Sequence, residues 1–159
     1  MAEQNAQAAT GPQFNILRVY LKDVSVETPN SPAIFTEDFR PDIKLQLNTS
    51  VTSLENDLYE VVLNLTVTSK HNDKTAFLVE VQQAGIFMLK GFDDAQMKQM
   101  LGAYCPETLF PFAREAVADL VSKSGFPPLL LAPVNFNAIY ADNLQRSQAA
   151  AASPEQGTH

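Results

Sequence analysis

The sequence predicts an α+β domain: a four-stranded antiparallel sheet followed by two main helices. Four stretches between residues 14 and 87 alternate apolar and polar side chains with period two. Two stretches between residues 109 and 146 repeat apolar side chains at helical spacing instead. The strands precede the helices rather than interleaving with them, which argues against a parallel α/β sheet.

The first strand is FNILRVYLKDVSVE, residues 14–27, with Phe14, Ile16, Tyr20, Val24 and Val26 expected on one side. Its other side begins apolar with Leu17, Val19 and Leu21 and ends acidic with Asp23 and Glu27. The second, DIKLQLNTS at 42–50, turns Ile43, Leu45 and Leu47 inward. The third, LYEVVLNLTVTS at 58–69, buries Tyr59, Val61, Leu63, Leu65 and Val67. The fourth begins at Lys74, after a turn-like HND that includes His71, and runs through FLVEVQQAGIF. Phe77, Val79, Val81 and Phe87 share its apolar side with an unexpected Gln83, while Leu78 and Glu80 lie on the other side. One covered face is the expected arrangement for such a sheet.

Between the first two strands lies TPNSPAIFTEDFRP, residues 28–41, a long crossover carrying Phe35 and Phe39. Long loops of this kind are often functional. DDAQMKQML (93–101) predicts a helical turn or two. LFPFAREAVADLVSKSG (109–125) predicts the main helix, with Pro111 in its first turn, Gly125 as its stop, and a stripe of Leu109, Phe112, Ala113, Ala116, Val117, Leu120 and Val121. Its prolines make FPPLLLAPV (126–134) extended. NFNAIYADNLQR (135–146) starts on the N-cap Asn135 and stripes Phe136, Ile139, Tyr140 and Leu144. Residues 1–12 and 147–159 lack an apolar pattern and read as flexible tails around a single domain at 13–146.

Composition narrows the function. The chain has 159 residues, 45% hydrophobic, with ten Phe and no Trp, enough for one self-supporting core. Its net charge of −7 argues against nucleic acid or anionic lipid and suits a basic partner surface. A single cysteine, Cys105, points to a reducing compartment. The N-terminus has no secretory pattern, and no apolar run approaches the roughly 20 residues of a membrane span. A soluble cytoplasmic protein, with no direct membrane insertion, is expected.

No catalytic constellation is legible. His71, His159 and Cys105 have no metal-ligand spacing, no nucleophile elbow or phosphate-binding glycine loop occurs, and neither metal nor cofactor is expected. What remains is apolar surplus at Leu17, Val19, Leu21, Leu129, Leu130, Leu131 and Val134, with Phe35 and Phe39 in the crossover. Such a surplus favours a multimer with an apolar groove for extended chains. The rival reading is a small apolar-ligand carrier or isomerase on a curved sheet.

Five blocks carry a family resemblance: YLKDVSVETPNSP, YEVVLNLTVT, TAFLVEVQQAGIF, LGAYCPETLFPFARE and FPPLLLAPVNFNAIY. Over residues 14–145 the chain resembles SecB, the bacterial protein-export chaperone family. The resemblance implies a homotetramer, a dimer of dimers, that holds unfolded preproteins without ATP and delivers them to the motor ATPase SecA. It implies a docking patch for SecA's small basic zinc-bearing segment at Asp23, Glu27, Leu78 and Glu80. It also implies that Phe77, Val79, Val81 and Gln83 pack toward the helices and affect the oligomer interface. Gln83 is expected to satisfy its amide against a partner subunit. The client-peptide groove is expected along Phe35, Phe39, Leu129, Leu130, Phe136, Ile139 and Tyr140, the aromatic and apolar residues on edge or mobile elements.

Overall fold

A computed structural model of the protein describes residues 11–152. His159 and most of the two expected tails lie outside the described residues. The strands are β1 (Gln13–Glu27), β2 (Asp42–Ser53), β3 (Leu58–His71) and β4 (Lys74–Lys90). They form one antiparallel sheet in the order β1-β4-β3-β2, so β1 and β2 are opposite edges. The length of the crossover follows from that order. It must pass three strand spacings, about 14 Å, to carry the chain from one edge to the other. The two hairpins are tight for a local reason. Asn72 and Asp73, like Asn56 and Asp57, all sit at positive φ between 49° and 61°, the conformation these short polar side chains tolerate best after glycine.

One face of the sheet is covered. Val61, Leu63, Leu65 and Val67 of β3 and Phe77, Val79, Val81, Phe87 and Leu89 of β4 are all essentially solvent-free. Three helices follow: α1 (Asp94–Gln99), α2 (Cys105–Lys123) and α3 (Phe136–Ala152), with a π-helical turn at Met100–Tyr104 joining the first two. Asp93 and Gln96 close a reciprocal capping box at the start of α1. Gly85 lets α2 come close, because a Cβ there would stand 3.0 Å from the Leu109 side chain.

Four sequence expectations need correction. First, β1 carries two bulges, between Ile16 and Arg18 and between Leu21 and Asp23. Each extra residue shifts the alternation by one. The register therefore puts Val19 and Leu21, opposite Gly85 and Gln83, on the helix side with Val24 and Val26, and puts Tyr20 on the open face with Asp23, Ser25 and Glu27. Second, α2 begins at Cys105 with Pro106 in its first turn, so Pro111 lies inside the helix, where it offers no hydrogen to the Glu107 carbonyl. Third, the buried stripe of α2 includes Cys105, Pro106 and Phe110 but not Phe112, which is half exposed. Fourth, α3 continues past residue 146 to Ala152, through an alanine run with the highest helix propensity available. Residues 147–152, expected in the tail, are thus part of this helix.

Candidate functional site

The candidate groove is built from the end of α2 outward. Gly125 takes φ +91° after Ser124, its N–H donating to Ser122 O (3.1 Å) while the Phe126 N–H donates to Val121 O (3.3 Å). This paired closure is the left-handed helix stop that only glycine adopts without strain. It turns Phe126 under the crossover, where its ring lies 5.0, 5.3 and 5.1 Å from those of Phe35, Phe39 and Phe77. Phe39, Phe77 and Leu129 then line a depression of about 240 Å3 with Ile43 and prolines 41, 127 and 128. Phe35 remains half exposed above Phe126, and Leu130 points outward at 79% exposure.

The crossover is tied to the sheet at two points. Asn30 Nδ2 donates to Thr75 O at 2.8 Å, and Ile34 is buried in the core. His71 is not a turn residue but the buried last residue of β3. Its Nδ1 accepts from the Arg40 N–H at 3.0 Å, and its Nε2 lies 3.3 Å from Glu37 Oε2. Phe39 is thereby held by backbone and ring contacts on both sides, its own ring 5.8 Å from that of His71. Nothing in the local pattern around HND marks this histidine as a latch.

At the other end of β2, Asn135 Oδ1 accepts from Ala138 N–H (3.0 Å) and starts α3, as expected of an N-cap. Ile139 and Tyr140 line a second depression, about 410 Å3, with Leu47, Thr49, Val51, Leu101 and Gly102. Tyr140 seats directly on Gly102, where a Cβ would fall 2.7 Å from the ring. Phe136 is only the floor of this pocket. It is 2% exposed, with its ring 5.7 Å from that of Phe110, so it belongs to the core. Both depressions lie against the helix-side row of β2, the first at Ile43 and the second at Leu47, Thr49 and Val51, with no lining residue in common. Of the seven expected groove residues, Phe39 and Leu129 line the first depression, Ile139 and Tyr140 line the second with Phe136 as its floor, and Phe35 and Leu130 line neither.

The opposite face of the sheet is bare. There the register sets Glu27 against Leu78, Ser25 against Glu80 and Asp23 against Gln82. Ser25 Oγ donates to Glu80 Oε2 at 3.3 Å. Asp23, Glu27 and Glu80 are exposed and Leu78 is half-buried among them. Sequence reasoning missed the neighbouring cluster in which Glu60 Oε2 accepts from the Tyr20 hydroxyl and Glu60 Oε1 from Lys22 Nζ (2.7 Å). Burial, and then Glu60, push the Tyr20 hydroxyl up to about 12, while the hydrogen bonds from Lys22 and Tyr20 hold Glu60 below its ordinary value.

The four residues expected at the oligomer interface are all within the protomer's own core, at 3% exposure or less. They do pack toward the helices. In the isolated protomer they are covered by the chain's own packing, α2 included. Gln83 Nε2 donates to Tyr20 O of the same chain at 3.0 Å, so its amide needs no partner subunit. What lies bare instead is the β1 edge, with Ile16, Leu17, Leu21 and Val24, and the outer side of the helices, with Tyr104 and Phe112. Among the described residues no group of three or more His, Cys, Asp or Glu side chains could hold a metal ion. No described helix is long and apolar enough to cross a membrane.

A sheet with two apolar depressions beside one edge strand and a largely polar second face suits a polypeptide-binding module. The chain belongs to the SecB family: the model of that family, described as preprotein translocase subunit SecB, matches residues 7–147. The protein-export protein SecB of Pseudomonas savastanoi pv. phaseolicola is 54% identical over 149 residues, 94% of this chain and 92% of the relative. The SecB proteins of Pseudomonas syringae pv. syringae and pv. tomato are equally similar, at 54% identity over the same length. Among solved structures, a Mycobacterium tuberculosis SecB-like chaperone in complex with a ChAD peptide from an antitoxin shares the fold. Its TM-score is 0.62 at 17% identity, over 76% of this chain and 87% of that one.

Proposed function

We propose that the chain is a cytoplasmic, ATP-independent holdase that keeps unfolded secretory precursors competent for export and delivers them to SecA. The observation that carries this is the pair of apolar depressions set along the inner row of β2. Clients of a general chaperone share no sequence, so capture needs apolar area without side-chain discrimination. Open apolar depressions beside an edge strand supply that area, whereas a small-ligand carrier buries most of its ligand in one well-formed pocket.

The assembly is a homotetramer, a dimer of dimers. Support for it comes from two separate bare apolar surfaces, the unpaired β1 edge with Leu17, Leu21 and Val24 and the outer flank of α2 with Phe112. A long apolar edge strand left open in a monomer is an aggregation hazard, which pairing with a second copy removes. Phe77, Val79, Val81 and Gln83 influence that assembly indirectly, by setting how α2 lies on the sheet.

The basic segment of SecA docks on Asp23, Glu27, Leu78 and Glu80. The test is Glu80→Lys, assayed for SecA binding, client capture and oligomer mass in one preparation. SecA binding is lost while capture and mass persist. A parallel loss of capture would mean that the patch is not a separate docking site.

A further inference from the structure

The bare face of the sheet is two-signed, and only its acidic half has been used so far. Across one row the register runs Glu27–Leu78–Thr68–Lys44, and across the next Ser25–Glu80–Thr66–Gln46. A third row runs Asp23–Gln82–Asn64–Asn48. The acids of these rows are confined to β1 and β4. Between them and Lys44 stand Leu78 and otherwise only hydroxyls and amides. Lys70 lies one step further along β3, opposite Asp42. Lys44, Lys70, Asp42, Gln46 and Thr68 line a depression of about 350 Å3 on this face.

The other cations of the face are differently placed. Lys22 is committed to Glu60, and Arg18 sits opposite Ile86, six residues along β4 from Glu80. Among the described residues neither Lys44 nor Lys70 has a carboxylate within ion-pair distance, and Asp42 reaches neither ammonium. The two ammoniums thus remain free beside one acid, at the far end of a polar row from three carboxylates.

We infer that this face takes a dipolar polypeptide segment, basic where it meets Asp23, Glu27 and Glu80 and acidic where it reaches Lys44 and Lys70. The inference rests on the docking reading above and adds the chemistry of the segment's other end. Three strand spacings of about 4.8 Å separate Glu27 from Lys44, and an extended chain at about 3.3 Å per residue covers them in four or five residues. The segment therefore carries its basic and acidic residues about that far apart. Between them, Thr66, Thr68, Asn64 and Gln82 offer donors and acceptors to its peptide bonds.

The sign of one mutational effect decides the matter. Two synthetic peptides serve as probes, each with a pair of lysines followed, after four uncharged residues, by either two aspartates or two asparagines. Their affinities for the full chain are compared by fluorescence anisotropy at low salt. The aspartate peptide binds several-fold more tightly, as about two exposed ion pairs allow. Changing Lys44→Gln and Lys70→Gln together removes that advantage and leaves the asparagine peptide bound as well or better, since the face becomes more negative. If the double variant binds the aspartate peptide more tightly, or the wild type does not distinguish the two peptides, the acidic end has no site and the inference is overturned. If neither peptide binds, or Glu80→Lys leaves binding unchanged, the docking reading itself fails.

Discussion

The Tyr20 hydroxyl on β1 donates to the Glu60 carboxylate on β3, although β4 runs between the two strands. The register explains how. Tyr20 pairs with Ala84, a residue small enough to lie fully covered on the bare face while the phenol passes toward Glu60. Burial opposes ionisation of this phenol, and the carboxylate that accepts from it, held ionised by Lys22, adds to that.

An alkaline titration should show this directly. Tyr20 ionises at about 12 rather than 10, so one of the four tyrosines titrates late in the ultraviolet spectrum. The sign follows from proton binding: between those values the folded state keeps a proton that the unfolded state has lost, so stability falls as pH rises through that window. Tyr20→Phe should abolish the late phase. A late phase that survives the substitution would assign it elsewhere.

Glu60 works in the opposite direction. Its acidity is raised chiefly by the hydrogen bond from Lys22, so it contributes stability above the ordinary carboxylate range that is lost as pH falls through its folded value. Lys22→Met should therefore flatten the acid limb of the stability profile. An unchanged acid limb in thermal melts would show that the pair contributes nothing.

Cys105 should be chemically silent. Its thiol is buried in the core, and that burial alone pushes it up to about 12, far from the thiolate needed for reaction. Thiol reagents at neutral pH should label it only at the rate of unfolding. Rapid labelling of the native protein would mean that the π-helical turn opens.

Gly102 and Tyr140 should behave as a coupled pair. A side chain at residue 102 would drive Tyr140 off its seat, and overpacking of this kind costs about 1–3 kcal/mol. Gly102→Ala should lower the melting temperature and weaken client capture, while adding Tyr140→Ala should restore part of the stability. Strictly additive losses in the double-mutant cycle would show that the two do not touch.

The strands, the crossover, the extended prolines and the N-cap at Asn135 were legible because each has a local signature. The face assignments in β1 were not, since a bulge adds one residue without changing composition, and that slip moved Tyr20 and Leu21 across the sheet. Pro111 misled because a proline reads as a helix start unless the apolar stripe is followed upstream to Cys105. The alanines of 149–152 have high helix propensity but no apolar stripe, so the pattern there does not separate helix from tail. His71 against Arg40, and Tyr20 against Glu60, join residues 31 and 40 positions apart, and no local pattern encodes such pairs.

On this reading an oligomer of the chain holds unfolded polypeptide in the depressions beside β2. Size-exclusion chromatography with light scattering, run with and without an unfolded preprotein and without nucleotide, tests it most directly. The wild type should elute as a tetramer and shift to a stoichiometric complex, and a chain carrying both Phe39→Ala and Tyr140→Ala should remain tetrameric but shift far less. A monomer at micromolar concentration, or undiminished capture by the double variant, would contradict it.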